Sequence, residues 1–226
     1  MNPVLERLKF RRFSTVQLLV ALVVLFISAP FVEELKGGGL ILSVLFSLVL
    51  LAAVFAVADR KRTLAIALGL ALPAITARWI NFFRPRVVHP TVFLVCALLL
   101  LAFVIGHLLH FILHARVVTI EVLCASIAAY LMLGLMWTVA YWFVDQVTPG
   151  GAFSFNTERG RHSMNGFTGF YFSFITLSTV GYGDITPVSQ AARWLAAMEA
   201  MTGSLYIAVL IARLVSLYSS GKSDHS

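Results

Sequence analysis

Six long stretches of this chain are nearly free of charge, and nothing else in the sequence limits its fold as strongly. A helix needs about 20 mostly apolar residues to cross a hydrocarbon core of roughly 30 Å. Candidate spans cover Thr15–Val32, Gly38–Ala58, Thr63–Ile80, Thr91–Leu113, Val117–Val144 and Ser189–Leu217. A seventh apolar stretch, Phe167–Thr179, is too short to span and reads as a re-entrant helix. Such a helix is tolerated only where its ends are buried in protein. It is bracketed by the polar stretch Asp145–Gly166 and by Gly181 and Gly183. Composition agrees: the chain is 60% hydrophobic and 12% charged, against roughly 45–50% and about 25% in soluble domains. A soluble enzyme, a disordered tail and a solvated nucleic-acid-binding domain are excluded. The expected fold class is an all-α membrane protein of six transmembrane helices plus the re-entrant helix and its loop. Cys96 and Cys124 both lie in apolar runs and read as small buried hydrophobes, not as a disulfide or metal pair.

Basic residues orient the spans. Arg7, Lys9, Arg11 and Arg12 precede the first span, and Arg60, Lys61 and Arg62 join the second and third. Arg116 joins the fourth and fifth, and Lys222 follows the sixth. The opposite set, Lys36, Arg84, Arg86, Arg159 and Arg161, is diluted by Glu33, Glu34, Asp145 and Glu158. Lys and Arg collect in cytoplasmic loops, so both termini are expected in the cytoplasm; Arg84 and Arg86 run against the rule. The formal charge of +7 is then a topology signal, and no nucleic-acid partner is expected. The N-terminus carries the basic stretch, apolar run and Ser28-Ala29 pair of a signal peptide. Pro30 follows directly and the apolar run is longer than a usual signal core, so an uncleaved anchor is expected.

Between the fifth and sixth spans a short aromatic helix runs into Thr179-Val180-Gly181-Tyr182-Gly183-Asp184. A backbone whose carbonyls all point to one side places alternate residues in conformations that a Cβ opposes; Gly181 and Gly183 remove that obstacle. The carbonyl oxygens of Thr179, Val180, Gly181 and Tyr182, with the Thr179 hydroxyl, could then replace a cation's hydration shell. One loop cannot enclose an ion, so four copies around an axis are needed. The partially negative C-terminal end of the short helix favours a cation in the cavity beneath it. The competing reading is a glycine turn at the end of a core helix.

From Val117 to Leu217 the sequence resembles the tetrameric potassium channels, with two membrane helices around a pore loop. It is most similar to small prokaryotic-type members with Ser-Thr-Val-Gly-Tyr-Gly-Asp after an aromatic pore helix. TVGYG is that family's known selectivity filter, so the ion-binding mechanism follows from the resemblance. The resemblance implies a homotetramer that passes K+ and needs no cofactor beyond the permeant ions. Thr179, Val180, Gly181, Tyr182 and Gly183 would form the filter, with K+ held by the first four. Asp184 would brace the filter from its outer mouth, with Ser178 beside it. Many members pair that aspartate with a pore-helix glutamate, where this chain has Ile175. Tyr171 and Phe172 stand where the family has an aromatic cuff, although Phe172 reads equally as an ordinary core aromatic. Gly203 falls at the family's bending glycine, with a plain helix-packing glycine as the alternative. The family's filter opens outward, so counting spans backward also puts the N-terminus inside.

Ser204, Ile207 and Ile211 share one face of the sixth span by their i, i+3, i+7 spacing. They are expected to line the cavity and inner gate, or else to pack on the fifth span. Glu199, about ten residues into that span, is an intramembrane ionisable group and so a functional hypothesis by default. Its face should look toward the pore helix, with Thr176 and Ser178 as possible partners. It would support the filter and tune gating, or make a static structural bond. His107, His110 and His114 lie on one stripe of the fourth span and could bind zinc or sense protons. No carboxylate or cysteine stands nearby in sequence to complete a metal site, so ordinary packing histidines are the alternative.

A voltage sensor needs an arginine ladder. The fourth span has no Arg or Lys, and the third has only Arg78 near its end. Conventional voltage sensing is therefore not expected. The expected organisation is a peripheral four-helix domain over residues 1–114, a pore domain over 115–218 and a short cytoplasmic tail over 219–226. The expected partners are K+, membrane lipids and further copies of the chain, in the cell membrane. The competing function is a subunit of a potassium-uptake transporter; an intramembrane enzyme lacks any nucleophile–base pair.

Overall fold

The computed structural model describes residues 3–33, 35–58, 61–84, 89–156, 164 and 166–223, with side chains described between residues 15 and 216 except 33. The side chains of Arg7, Lys9, Arg11, Arg12, Glu33, Glu34, Arg60, Arg86, Glu158, Arg159, Arg161 and Lys222, which carry much of the topology argument, lie outside the described residues. The helices are α1 (Pro3–Glu33), α2 (Gly38–Ala56), α3 (Lys61–Phe83), α4 (Pro90–His114), α5 (Ile120–Val147), α6 (Phe167–Leu177) and α7 (Gln190–Ser223). Strands β1 (Phe153–Phe155) and β2 (Ile185–Pro187) flank α6 in sequence. Six of these helices are long and apolar enough to cross a membrane, while α6 is not. The expected all-α architecture therefore holds, with two differences at the ends. Helix α1 begins at Pro3, twelve residues before its apolar part at Thr15. Helix α7 continues to Ser223, past the expected end at Leu217.

Burial follows the helical repeat. In α1 the buried positions include Leu18, Leu22, Leu25 and Ala29, one stripe at i, i+4, i+7 and i+11. The complementary residues Val16, Val20, Val24, Ile27 and Phe31 are equally apolar and exposed, the arrangement of a helix with lipid on its other side. Helix α3 presents Ala67, Ala71, Ala74 and Ala77 inward, and this small-residue stripe lets α4 approach closely. Helix α5 is the hub, touching α1, α4, α6 and α7. Its caps are local: the Thr119 hydroxyl accepts from Val122 N at 3.4 Å, and Thr148 stops the helix with its hydroxyl on Val144 O at 2.7 Å.

The peripheral bundle reaches the short helix directly. Phe26 of α1 sets its ring edge-on to Phe170 and Phe174 of α6, at centroid distances of 5.6 and 4.5 Å. Gly134 of α5 also lies so close to the Phe174 ring that a Cβ there would collide with it. The polar stretch before α6 folds back as a two-stranded antiparallel ribbon, with Phe153 opposite Pro187 and Phe155 opposite Ile185. Asp145 at the end of α5 ties this turn down by accepting from Ala152 N at 2.8 Å and Met164 N at 3.3 Å.

Candidate ion-conduction site

Helix α6 stops where its backbone turns into the glycine loop. The N–H of Thr179 donates to Thr176 O at 2.9 Å, and those of Val180 and Gly181 both donate to Ile175 O, at 2.8 and 3.1 Å. The first loop amides are thus turned back onto the last carbonyls of α6, which helix termini otherwise leave unpaired. Beyond that, left-handed backbone recurs at every second residue: φ is +60° at Thr179, +53° at Gly181 and +79° at Gly183. Such alternation is what the glycine spacing predicts for a strand with carbonyls on one side. Thr179 was not foreseen as a third member. A β-branched residue rarely adopts positive φ, so its conformation is imposed by the surrounding structure. The side chains of Val180 and Tyr182 are 53% and 71% exposed, so one chain leaves the loop uncovered.

The loop's outer end is anchored at Asp184. The Tyr171 hydroxyl donates to Asp184 Oδ2 at 2.8 Å, and Ile185 N donates to Oδ1 at 3.1 Å. Asn156 N donates to the Asp184 carbonyl at 2.8 Å, continuing the ribbon. The Tyr171 ring also lies parallel to that of Tyr182, with centroids 6.5 Å apart. Ile175 contributes its carbonyl to the loop, while Tyr171 contributes the side-chain bond to Asp184. Phe172 takes the core alternative: it is buried against Tyr141 and Phe153, at 4.9 and 5.2 Å. The Ser178 hydroxyl returns to Phe174 O at 2.6 Å within its own helical turn.

Behind the loop, Glu199 of α7 is fully buried. Its partners correct the expectation of Thr176 and Ser178. The Tyr141 hydroxyl of α5 donates to Oε2, and the Ser173 hydroxyl of α6 lies 2.5 Å from Oε1. The same Ser173 hydroxyl lies 2.8 Å from the Gly134 carbonyl. Residues 173 and 176 differ by nearly one helical turn, so the miss was in the height of α7 against α6, not in the face. One carboxyl group therefore joins α5, α6 and α7. Sequence reasoning missed Tyr141 and Ser173. Their signal was weak but present: Ser173 is a hydroxyl set between Phe172 and Phe174, and a buried tyrosine hydroxyl needs a partner.

One turn further along α7, Gly203 lies against the end of α6, and a Cβ there would strike the Leu177 carbonyl oxygen. Ser204, Ile207 and Ile211 are exposed in the single chain. The side of α7 that meets α5 is a different one. Tyr206 donates to Ser126 O at 2.6 Å, its ring lies 5.7 Å from that of Tyr130, and Leu210 packs on the core. At the far end, Arg213 Nη2 donates to Ala115 O at 2.8 Å and so ties α7 to the α4–α5 connection.

Among the described residues the histidine stripe is not completed into a metal centre. His110 and His114 bring their rings to 4.0 Å, and His114 Nδ1 bonds the His110 carbonyl at 2.8 Å. Among the described residues no three His, Cys, Asp or Glu side chains converge as metal ligands. Cys96 and Cys124 are free and partly buried.

A re-entrant helix, a loop of alternating handedness and a flanking pair of long apolar helices are the parts of a membrane pore. A family model described as an ion channel matches residues 94–220, more than half of the chain, and the chain belongs to that family. The match begins inside α4 and so reaches further back than the resemblance seen in the sequence. The chain is accordingly an integral membrane protein with an ion-channel domain, which points to a channel and not to an enzyme. Among curated proteins it is similar to two-pore potassium channel 4 of Arabidopsis thaliana, 45% identical over 47 residues, which are 21% of this chain and 16% of the relative. It is also similar to Protein LctB of Bacillus caldotenax, 47% identical over 45 residues, and of Geobacillus stearothermophilus, 49% identical over 45 residues. Each of these alignments covers 20% of this chain and 33% of the relative. The matched part is thus a third or less of each relative's length. No solved structure matches the chain.

Proposed function

We propose that the chain is the subunit of a homotetrameric, potassium-selective channel without a conventional voltage sensor. The observation that carries this reading is the loop from Thr179 to Gly183, left-handed at every second residue and exposed at the end of a re-entrant helix. Four such loops around an axis would present rings of carbonyl oxygens from Thr179, Val180, Gly181 and Tyr182 in place of the ion's water. The reading requires no cofactor. The similarity to a plant two-pore potassium channel supports the choice of ion. Tetramer formation is supported by the large apolar side chains that α7 leaves exposed, among them Trp194, Met201, Leu205 and Ile211.

In this reading Tyr171 and Asp184 hold the outer mouth, and Ser178 closes the last turn of the pore helix. Glu199 fixes the helix from behind. Ser204, Ile207 and Ile211 line the inner cavity, and Gly203 sets the approach of α7 to the filter. Residues 1–114 form a peripheral domain, 115–218 the pore and 219–226 a tail, with both termini cytoplasmic in the cell membrane. Planar bilayers containing the purified full chain, bathed by unequal K+ and Na+, test the proposal. The expected reversal potential follows the K+ gradient alone. A potential that shifts with Na+ as well would overturn selectivity, and transport without unitary currents would favour the uptake-transporter reading.

A further inference from the structure

Between the peripheral helices and the pore helix lies a cavity of about 420 Å³ that the conduction reading leaves unused. Its walls come from every part of that junction: Leu25 of α1, Phe46 of α2, Arg78 of α3, Phe93 of α4, Trp142 of α5 and Phe170 of α6. It sits at the end of the spans shared by the last turns of α3 and α5 and the first turns of α4 and α6. Trp79, Phe82 and Phe83 cluster there, with ring centroids 5.4–6.1 Å apart, as aromatic residues do at the membrane–water boundary.

Arg78 is the unusual member of the lining. Its guanidinium carbon lies 5.4 Å from the centre of the Phe46 ring and 5.2 Å from that of Phe93. Its Nε is buried without a hydrogen-bond acceptor. Two ring faces attract a cation but give its N–H groups nothing to donate to, and they do not cancel its charge. A guanidinium drawn out of water is costly unless an anion meets it. Asp145 also lines the cavity, but both of its oxygens accept backbone N–H groups of the turn above. Among the described residues no carboxylate is paired with Arg78.

From the cavity and from a cation that no described carboxylate meets, we infer that Arg78 binds an anionic phosphate group at the junction of the peripheral helices and the pore helix. The planar fork of the guanidinium matches two phosphate oxygens. The surrounding Leu25, Phe46 and Phe93 suit the apolar part of a lipid, and the position at the boundary is where headgroup phosphates lie. A lipid headgroup and a free phosphate present the same chemistry. Because Phe170 belongs to the pore helix, the bound group would touch the pore directly. The inference does not depend on which ion the chain conducts.

The test uses the purified full chain in detergent, titrated separately with dihexanoyl phosphatidylglycerol, dihexanoyl phosphatidylcholine and sodium phosphate, with the thermal unfolding midpoint as readout. Phosphatidylglycerol should raise the midpoint saturably and phosphatidylcholine should not. An additional rise with sodium phosphate would assign the site to free phosphate as well, and its absence would assign it to the lipid. Arg78→Gln should weaken the apparent affinity for phosphatidylglycerol at least about tenfold, the loss expected for charge-assisted bonds. Arg78→Lys, which keeps the charge without the fork, should lose less. Equal responses to the two lipids, or an Arg78→Gln protein that responds like the parent, would overturn the inference. If Arg78→Gln does not fold, the lipid preference of the unaltered protein and its reduction in Arg78→Lys decide the matter.

Discussion

Ser173 faces a shortage of protons. Its hydroxyl carries one hydrogen, yet Glu199 Oε1 and the Gly134 carbonyl both stand within bonding distance. A carboxyl that keeps its own proton resolves this, because Glu199 then donates to Ser173, Ser173 donates to Gly134, and Tyr141 donates to the second carboxyl oxygen. Glutamine offers the same pattern, one N–H group toward Ser173 and one oxygen toward Tyr141. Glu199→Gln should therefore unfold within about 1 kcal/mol of the parent, whereas Glu199→Ala should lose roughly 2–4 kcal/mol by stranding two buried hydroxyls. Denaturation of the purified protein in detergent measures both, and equal losses would show that the network is not satisfied in this way. If open probability and pH dependence also survive Glu199→Gln, Glu199 has no gating role. Residue identity alone pointed to Glu199 and to the paired glycines. It could not point to Tyr141 or Ser173, which lie 58 and 26 residues from Glu199 and meet it only through the rotation of three helices.

The spans themselves were legible because lipid imposes length and apolarity on each helix independently of its neighbours. Short elements obey no such local rule. The ribbon of β1 and β2 has three residues per strand, too few for an alternation to stand out, and its pairing depends on the chain returning from the pore loop. The extension of α1 back to Pro3 was likewise hidden, since hydropathy marks the part of a helix in lipid and not its end. The two readings of the Ser204, Ile207 and Ile211 stripe are separated by the rotation of α7, which turns Tyr206 and Leu210 toward α5 instead. Single cysteines at Ile207 and Leu210, in a background lacking Cys96 and Cys124, should thus differ. A charged thiol reagent applied from the cytoplasmic side should modify Ile207→Cys at least about tenfold faster than Leu210→Cys. Equal rates would remove the lining role from that stripe.

The whole chain buries its helices unequally: 61% of the apolar window of α5 is covered, but only 11% of that of α7. A helix that combines Glu199, a row of exposed large side chains and the tie from Arg213 is packed by its own chain over only a small part of its surface. Native mass spectrometry of the detergent-solubilised protein should give a four-copy particle. Trp194→Ala, which trims the most exposed large hydrophobic side chain among the described residues of α7 (69%), should lower the temperature at which that particle dissociates, by the order of 2 kcal/mol per interface if it acts as an aromatic anchor. A stable single-copy particle would contradict the assembly. The clasp around Glu199 also has a bearing on biosynthesis. Tyr141 and Ser173 leave the ribosome before the carboxyl that satisfies them, so the re-entrant helix has no complete seat until the last span has been inserted. A chain interrupted before that point leaves the Tyr141 and Ser173 hydroxyls without the carboxyl that joins them.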